Sequence, residues 1–354
     1  MDLDEFINRI KPLDEAAMQS AQRRQDSLTK PRGSLGRLEE ISIRIAGITA
    51  NPMPKLEKKA VVVMAADHGV VEEGVSAYPQ DVTPQMVMNF LHGGAAINVF
   101  ARQAGARVIV VDMGVAAELH PAPGLIIRKI AKGTANLARG AAMSQIQATL
   151  SMLTGAKVIE TEAGRGLDLL AVGDMGIGNT TASAAIAAAL TGRAPEEIVG
   201  RGTGVDDAGL QRKIAAVRRG LDVNRPKAAD GTDVLAKVGG FEIGGLAGAM
   251  LAAAGKRIPI LVDGFISTAA AMIAVNQAPA VRDYLIAGHA SEERGHRIML
   301  EWLGLRPLLD LNLRLGEGTG AVLAMMLVEA ACRALTEMAT FDEAGVAEKG
   351  IDTP

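Results

Sequence analysis

Seven consecutive residues without a polar side chain, Ala60-Val-Val-Val-Met-Ala-Ala66, end abruptly at Asp67-His-Gly69. A β-branched run this short, with no polar–apolar alternation, suits a strand covered on both faces, and such strands belong to parallel sheets flanked by helices. Similar runs recur at Arg107–Met113, Leu169–Val172, Ile258–Asp263 and Tyr284–Gly288, with a weaker one at Leu125–Ile130. Helical patterns separate them, one opening at Thr83-Pro84 as an N-cap followed by Pro at the first helical position. The alternation predicts an α/β fold with a parallel sheet and helices on both faces. At the start of the chain, Leu35, Leu38, Ile41, Ile45 and Ile48 keep helical spacing after the breaker Lys30-Pro-Arg-Gly33, with Ser34 placed to cap. Ser291–Leu303 and Gly318–Ala339 read as helical again, either side of a turn-rich break. The expected organisation is an α/β domain over 56–290 carrying the active site, with a small helical domain built from 1–55 and 291–354.

Composition narrows the packing and the partners. Of 354 residues 49% are hydrophobic but only 3% aromatic, and 40 are glycine, so helices must lie close on strands through small residues. The apolar content and the net charge of −3 exclude a disordered chain. No basic stripe stands out against the 40 acids, which argues against nucleic acid as a partner. Cys332 is the single cysteine, so a disulfide scaffold is impossible and a reducing, cytoplasmic setting is expected. The acidic start, Met1-Asp-Leu-Asp-Glu5, lacks the basic n-region of a secretion signal. Met175–Gly192 and Gly264–Val281 each run 18 residues without a charge, the lower limit of a membrane span. Both are rich in Ala, Gly, Thr, Ser and Asn and read as buried helices, so no membrane partner is expected.

In a doubly wound sheet, ligands bind where strand C-termini feed helix N-termini. Leu169-Leu-Ala-Val-Gly-Asp-Met-Gly-Ile-Gly-Asn-Thr-Thr181 has that form. Gly176 and Gly178 permit close backbone approach, and the amides around Asn179 and Thr180 can point at a phosphate; a plain tight turn is the alternative. Neither a Walker A lysine nor a dinucleotide fingerprint is present. A second loop, Gly200-Arg-Gly-Thr-Gly-Val-Asp-Asp207, leads into a helix carrying Lys213. Thr203 and Lys213 offer a hydroxyl and a cation to a phosphate, while Asp206 and Asp207 equally suit a capped helix start. The pattern returns as Gly316-Glu-Gly-Thr-Gly320 before an apolar helix. Glu317, between two glycines, is either an acid made more basic by burial or one that merely favours the helix dipole. His68, His92, His120, His289 and His296 show no chelate spacing, and His289 and His296 on one helix would stand about 10 Å apart, so no metal is expected. Asp67-His68 ends a strand and suits a hydrogen-bonded structural role; Cys332 lies in an apolar helix and reads as core. No Gly-x-Ser-x-Gly elbow occurs.

Taken in order, several segments resemble one family. They are Lys30-Pro-Arg-Gly-Ser-Leu-Gly-Arg37, Ala65-Ala-Asp-His-Gly-Val70, Gly173-Asp-Met-Gly-Ile-Gly-Asn-Thr-Thr181, Gly200-Arg-Gly-Thr-Gly204, Asp263-Gly-Phe265, Gly288-His-Ala-Ser-Glu292 and Leu315-Gly-Glu-Gly-Thr-Gly-Ala321. The chain thereby resembles the nicotinate-nucleotide–dimethylbenzimidazole phosphoribosyltransferases of cobalamin nucleotide-loop assembly. The resemblance implies a Rossmann-like parallel sheet with a small helical domain from both termini, a homodimer, and no cofactor. It implies transfer of phosphoribose from nicotinate mononucleotide to 5,6-dimethylbenzimidazole. Glu317 matches the family's general base, and Asp174 falls where a second acid lies, one methylene shorter than the Glu of some relatives. Gly176, Gly178, Asn179, Thr180, Gly202, Thr203, Gly204 and Lys213 would hold phosphate and ribose. Ser291, otherwise a helix N-cap, matches the nicotinate side; Tyr78, Gln85 and Leu315 would form the benzimidazole pocket. Two other readings stand beside this one: a nucleotide-dependent oxidoreductase, which needs a dinucleotide fingerprint, and a carrier of the same ligands, which has no use for a buried base.

Overall fold

The computed structural model describes residues 2–347. Six parallel strands form the central sheet: β1 (Lys59–Ala66), β2 (Ala106–Gly114), β3 (Leu125–Ile127), β4 (Leu169–Met175), β5 (Ile260–Val262) and β6 (Leu285–Ala287), in the order β3-β2-β1-β4-β5-β6. A second sheet pairs β7 (His289–Ser291) with β8 (Leu309–Leu313), also in parallel. Helices α1 (Leu3–Ile7), α2 (Glu15–Ser27) and α3 (Arg37–Thr49) precede β1. The α4 (Val82–His92) and α5 (Ala96–Ala104) helices follow it, and α6 (Gln145–Gly164) leads to β4. After β4 come α7 (Asn179–Thr191), α8 (Pro195–Ile198), α9 (Asp207–Asn224), α10 (Gly231–Val238) and α11 (Phe241–Gly255); α12 (Phe265–Gln277) follows β5. The chain ends with α13 (His296–Leu303), α14 (Thr319–Glu337) and α15 (Phe341–Ala344).

Burial explains why the central strands read so plainly. All eight residues of β1 are buried, and its register places Met64 level with Asp174 of β4. The uncharged stretches become α7 and α12, almost wholly buried. By length and composition α14 is apolar enough to cross a membrane, but Ala321, Val322, Met325, Val328 and Leu335 are all buried, as in a core helix. Glycine does the work that aromatics do elsewhere. A Cβ on Gly155 of α6 would overlap the Gly245 carbonyl, and one on Gly248 of α11 would overlap the Met152 carbonyl. Gly245 also lies on Met64 of β1 and Met113 of β2, so α11 is sandwiched between α6 and the sheet with main chain as the spacer.

Contacts divide the chain into two units: residues 1–11 with 58–325, and residues 12–57 with 326–354. The second unit has Ala21, Ala46 and Leu335 at its core, with Ile43 packed against them. There Lys30 pairs with Glu39 at 2.8 Å, and Arg24 Nε donates to the Leu335 carbonyl. This differs from the expected boundaries, because residues up to 11, with α1, and residues 291–325 belong to the sheet-bearing unit. For the latter stretch the reason is β7 and β8, whose pairing continues directly from β6: Leu308 and Leu309 donate to the carbonyls of Ala287 and Gly288. Residues 348–354 of the expected helical part lie outside the described residues.

Three caps also differ from expectation. Gly36, with φ +54, and not Ser34, precedes α3. Thr83 lies inside α4 after the cap residue Asp81, and its hydroxyl accepts from Ile177 N–H at 3.1 Å instead of closing the helix. Ser291 ends β7, and α13 begins only at His296, after Gly295.

An exchange of Gly248 for Ala tests the spacer argument. Alanine gains roughly 1 kcal/mol of helix propensity over glycine, but the carbonyl clash forces α6 and α11 apart. A net loss of about 1–3 kcal/mol is expected in urea unfolding, whereas Gly140→Ala, which meets nothing within 4 Å, stays near zero.

Candidate active site

The C-terminal ends of β1 and β4, beside the reversal in strand order, open onto a cleft of about 450 Å³. Its walls come from the segment after β1, the β4–α7 turn, the loop before α9, the starts of α12 and β7, and the loop before α14.

Glu317 lines this cleft from a loop in which three successive residues are left-handed: Gly316 at φ +87, Glu317 at +63 and Gly318 at +89. A side chain in that region costs on the order of 1 kcal/mol and persists only where the surroundings fix it. Two features do so. Asp263 Oδ2 accepts from Gly318 N–H at 3.1 Å and Oδ1 from Ala321 N–H at 2.9 Å, an N-cap supplied from another strand end. Behind the loop, Gly173 of β4 has no side chain, and a Cβ there would overlap the Glu317 carbonyl. The Glu317 side chain is 5% exposed, and its Oε2 accepts from Ile97 N–H at 3.2 Å, at the N-terminus of α5. Burial pushes its carboxyl above the ordinary value and the Asp263 charge adds to this, while the Ile97 amide opposes them. Such an acid holds a proton more readily than an exposed carboxylate, while the Ile97 amide still favours its charged form.

Asp174, next to last in β4, is held differently. Its Oδ2 accepts from Asn179 Nδ2 at 2.9 Å, and its Oδ1 is buried without a partner among the described residues. Burial, then the charges of Asp263 and Glu242, push this carboxyl well above its ordinary range. Of the two acids it is the one whose surroundings more strongly favour the neutral form. Deeper still, His68 Nε2 and Glu242 Oε1 lie 2.7 Å apart, both fully buried, which gives His68 the structural role its strand-end position suggested.

Across the cleft α7 starts at Gly178, φ +96, with no side chain capping its amides. Thr180 lines the cleft, and its hydroxyl accepts from Lys213 Nζ at 2.9 Å. Gly202 makes this approach possible, since a Cβ there would sit 2.6 Å from Nζ and 2.8 Å from the hydroxyl. Lys213 is 1% exposed, and burial lowers its ammonium to about 8, with Glu293 opposing. An ammonium beneath a helix N-terminus, held there by a hydroxyl, suits an anion. Thr203 accepts from Ala77 N–H at 3.1 Å, which ties the loop before α9 to the segment carrying Tyr78.

On the third wall, Ser291 N–H donates to His296 Nδ1 at 2.9 Å, and His296 Nε2 meets Thr268 Oγ1 at 2.9 Å. Nδ1 must accept, so the ring is neutral with its proton on Nε2, and the Thr268 hydroxyl passes its own hydrogen to the Gly264 carbonyl at 2.7 Å. Burial, with His289 adding to it, depresses His296 from 6.5 to about 3.

Of the residues expected at the site, Glu317, Asp174, Gly176, Asn179, Thr180, Gly202, Thr203, Ser291, Tyr78 and Leu315 line the cleft. Gly178 does not; it packs against Val71 and His68. Gly204, φ +100, turns the loop one residue away, and Lys213 acts from beneath. Gln85 is exposed and outside the lining, because α4 turns Val82 and Met86 to that wall. His289, Glu293 and Phe265 line the cleft without having been singled out, although two of the quoted motifs contain His289 and Phe265.

The neutral His296 carries a pH signature. Its folded pKa lies below the unfolded one, so the unfolded chain takes up the proton first. The stability involved is intact above about pH 6.5 and is lost as pH falls toward 3, at up to about 1.4 kcal/mol per unit. Urea unfolding at pH 7 and pH 5 is expected to show a smaller decline for His296→Gln than for the wild type.

A phosphoribosyltransferase family model matches residues 10–346. Two relatives named nicotinate-nucleotide–dimethylbenzimidazole phosphoribosyltransferase, from Chloroflexus aggregans and a Roseiflexus species, are 60% and 61% identical, each over 98% of both chains. A crystal structure under the same enzyme name from Thermus thermophilus aligns with a TM-score of 0.91 at 52% identity, covering 95% of this chain and 100% of the other. Another, titled CobT from the same organism, gives 0.91 at 54% identity over 94% and 100%. At these identities and with near-complete coverage, the chain belongs to the nicotinate-nucleotide–dimethylbenzimidazole phosphoribosyltransferase family.

Proposed function

We propose that this enzyme transfers phosphoribose from nicotinate mononucleotide to 5,6-dimethylbenzimidazole, giving α-ribazole 5′-phosphate and nicotinate for cobalamin biosynthesis. The observation that carries this reading is that a buried, strained carboxylate and an anion-binding helix N-terminus border one cleft. The phosphate sits at the start of α7, between Thr180 and the Gly202–Thr203 turn, with Lys213 beneath it. Nicotinate lies toward Ser291. The benzimidazole stacks between Tyr78 and Leu315, which are exposed on the rim, with Val82 and Met86 as its apolar floor.

The reaction then follows from positions. One benzimidazole nitrogen attacks the ribose anomeric carbon with its lone pair while the bond to the pyridinium nitrogen breaks, and that pair leaves with nicotinate. Attack from the face opposite the leaving group inverts the centre. The other benzimidazole nitrogen gives its proton to Glu317, so a neutral riboside forms, and the carboxylate offsets the positive charge that builds up on the way. Asp174 stays protonated, and with Asn179 it shapes the turn behind the ribose. Two acids in one cleft thus divide the proton chemistry through their surroundings. The single thiol, Cys332, is buried and pushed up to about 12 by its burial, which leaves it inert; a cytoplasmic homodimer completes this reading of the enzyme.

Nicotinate release from the two substrates tests the assignment. Glu317→Gln is expected to lower kcat by about 10²-fold or more with little change in the KM for the mononucleotide, and near-normal turnover overturns the base. Asp174→Asn, which mimics the protonated acid, is expected to stay within about fivefold. Lys213→Met is expected to raise the KM for the mononucleotide by about tenfold or more, the loss of a charged hydrogen bond to phosphate. In the wild type, kcat falls on the acid side as Glu317 protonates, with its midpoint above the ordinary carboxylate value of 4.5.

A further inference from the structure

Asp263 is 1% exposed and reaches three groups: the amides of Gly318 and Ala321, and His289, whose Nε2 lies 3.5 Å from Oδ1. Two glycines clear a slot for this one imidazole. A Cβ on Gly320 would overlap the ring at Cδ2, and one on Gly264 would lie 3.3 Å from Nε2. The ring therefore packs against the first turn of α14, where the positive end of the helix disfavours a cation unless an anion stands between them. Asp263 is that anion.

We propose that Asp263 and His289 form a positioning pair for Glu317: His289 orients the carboxylate that anchors the left-handed Gly316–Gly318 loop and balances its charge. The proposal rests on the reading of Glu317 as base. The mechanical part is direct, because Gly318, the residue after Glu317, hangs on Asp263 Oδ2. The electrostatic part has a sign. Asp263 disfavours the charged form of Glu317, and an imidazolium beside Asp263 relieves that effect. Burial alone would lower His289, but Asp263 outweighs it and holds the ring above its ordinary value, with Asp310 of β8 acting in the same sense. The other titratable groups acting on the pair are Asp174 of β4 and His296 of α13, whose ring centroid is 6.1 Å from that of His289.

The two partners must then move the pH profile in opposite directions, which a merely structural role would not do. His289→Asn leaves Asp263 unbalanced, so the acid limb of kcat shifts to higher pH, and the loosened loop lowers the plateau by about tenfold. Asp263→Asn removes the negative neighbour and one of two acceptors, so the limb shifts to lower pH while the plateau falls further. In His289→Asn the KM for nicotinate mononucleotide stays within about twofold, whereas a large rise would make His289 a substrate contact. Shifts in the same direction, or none, overturn the proposal. Glu317→Gln in the same assay separates the two readings, since its near-normal turnover would remove the base whatever the pair does. Should either variant fail to fold, ¹H–¹⁵N spectra of the wild-type histidine rings still decide: His289 is expected to remain mostly protonated at pH 6.5, and a neutral ring there overturns the proposal.

Discussion

Gly173 of β4 and the Glu317–Gly318 segment approach so closely that no side chain fits between them. The placement of Glu317 in the cleft depends on that contact. β4 is paired on both sides, with β1 and β5, so the loop before α14 rests on the most rigid part of the sheet. Asp263, just past β5, holds the same loop from the other side. A left-handed glutamate is a poor conformation in solution, and here its geometry is set by main chain and by a buried carboxylate, not by the substrate. The α6–α11 contact obeys the same rule, which explains a chain rich in glycine and poor in aromatics.

Several acids line the cleft or are buried behind it, and their partners keep them chemically distinct. Asp263 is taken up by two amides and a histidine. Glu242 is held by His68. Asp174 has an amide donor on one oxygen and none on the other among the described residues, and burial pushes its carboxyl well above the ordinary range. Glu317 has one backbone amide at a helix N-terminus, enough to tolerate charge but too little to remove its appetite for a proton. A base that accepts from an aromatic N–H and later releases that proton needs this intermediate state.

The sheet was legible because its central strands are largely buried and carry few polar residues, whereas the edge strand β3 is only partly buried and reads more weakly. β7 and β8 were not. Three and five residues long, and containing His289, Ser291, Asp310 and Asn312, they have neither the length nor the apolar run that marks a strand, and their pairing follows from continuity with β6. Thr83 misleads for a related reason: its hydroxyl serves a distant amide, Ile177, that only the folded chain brings near. At the site, the glycine loops and Glu317 announce themselves locally. His289 and Glu293 acquire meaning only through contacts with Asp263 and Lys213, and Gln85 misses the wall by one position on its helix.

The strand order is that of dinucleotide-binding sheets, which place a glycine-rich phosphate loop after the first strand. Here the segment after β1 does something else. It begins with Asp67, which accepts from Ala116 N–H, and continues through a short 3₁₀ turn, Gly69–Glu73, before Tyr78 and α4. The anion site proposed above lies instead at α7, after β4, and the β1 side supplies an apolar wall with Val82 and Met86. The crevice between β1 and β4 is tight, since a Cβ on Gly176 would overlap the Ala66 carbonyl. In the proposed reading, a sugar-phosphate gripped from the α7 side presents its anomeric carbon toward the α4 side, where Met86, Val82 and Glu317 line the same cleft. The sheet provides the crevice, while the segments leaving β1 and β4 decide which groups meet across it. That division is why a dinucleotide-type strand order serves a group-transfer reaction without a dinucleotide.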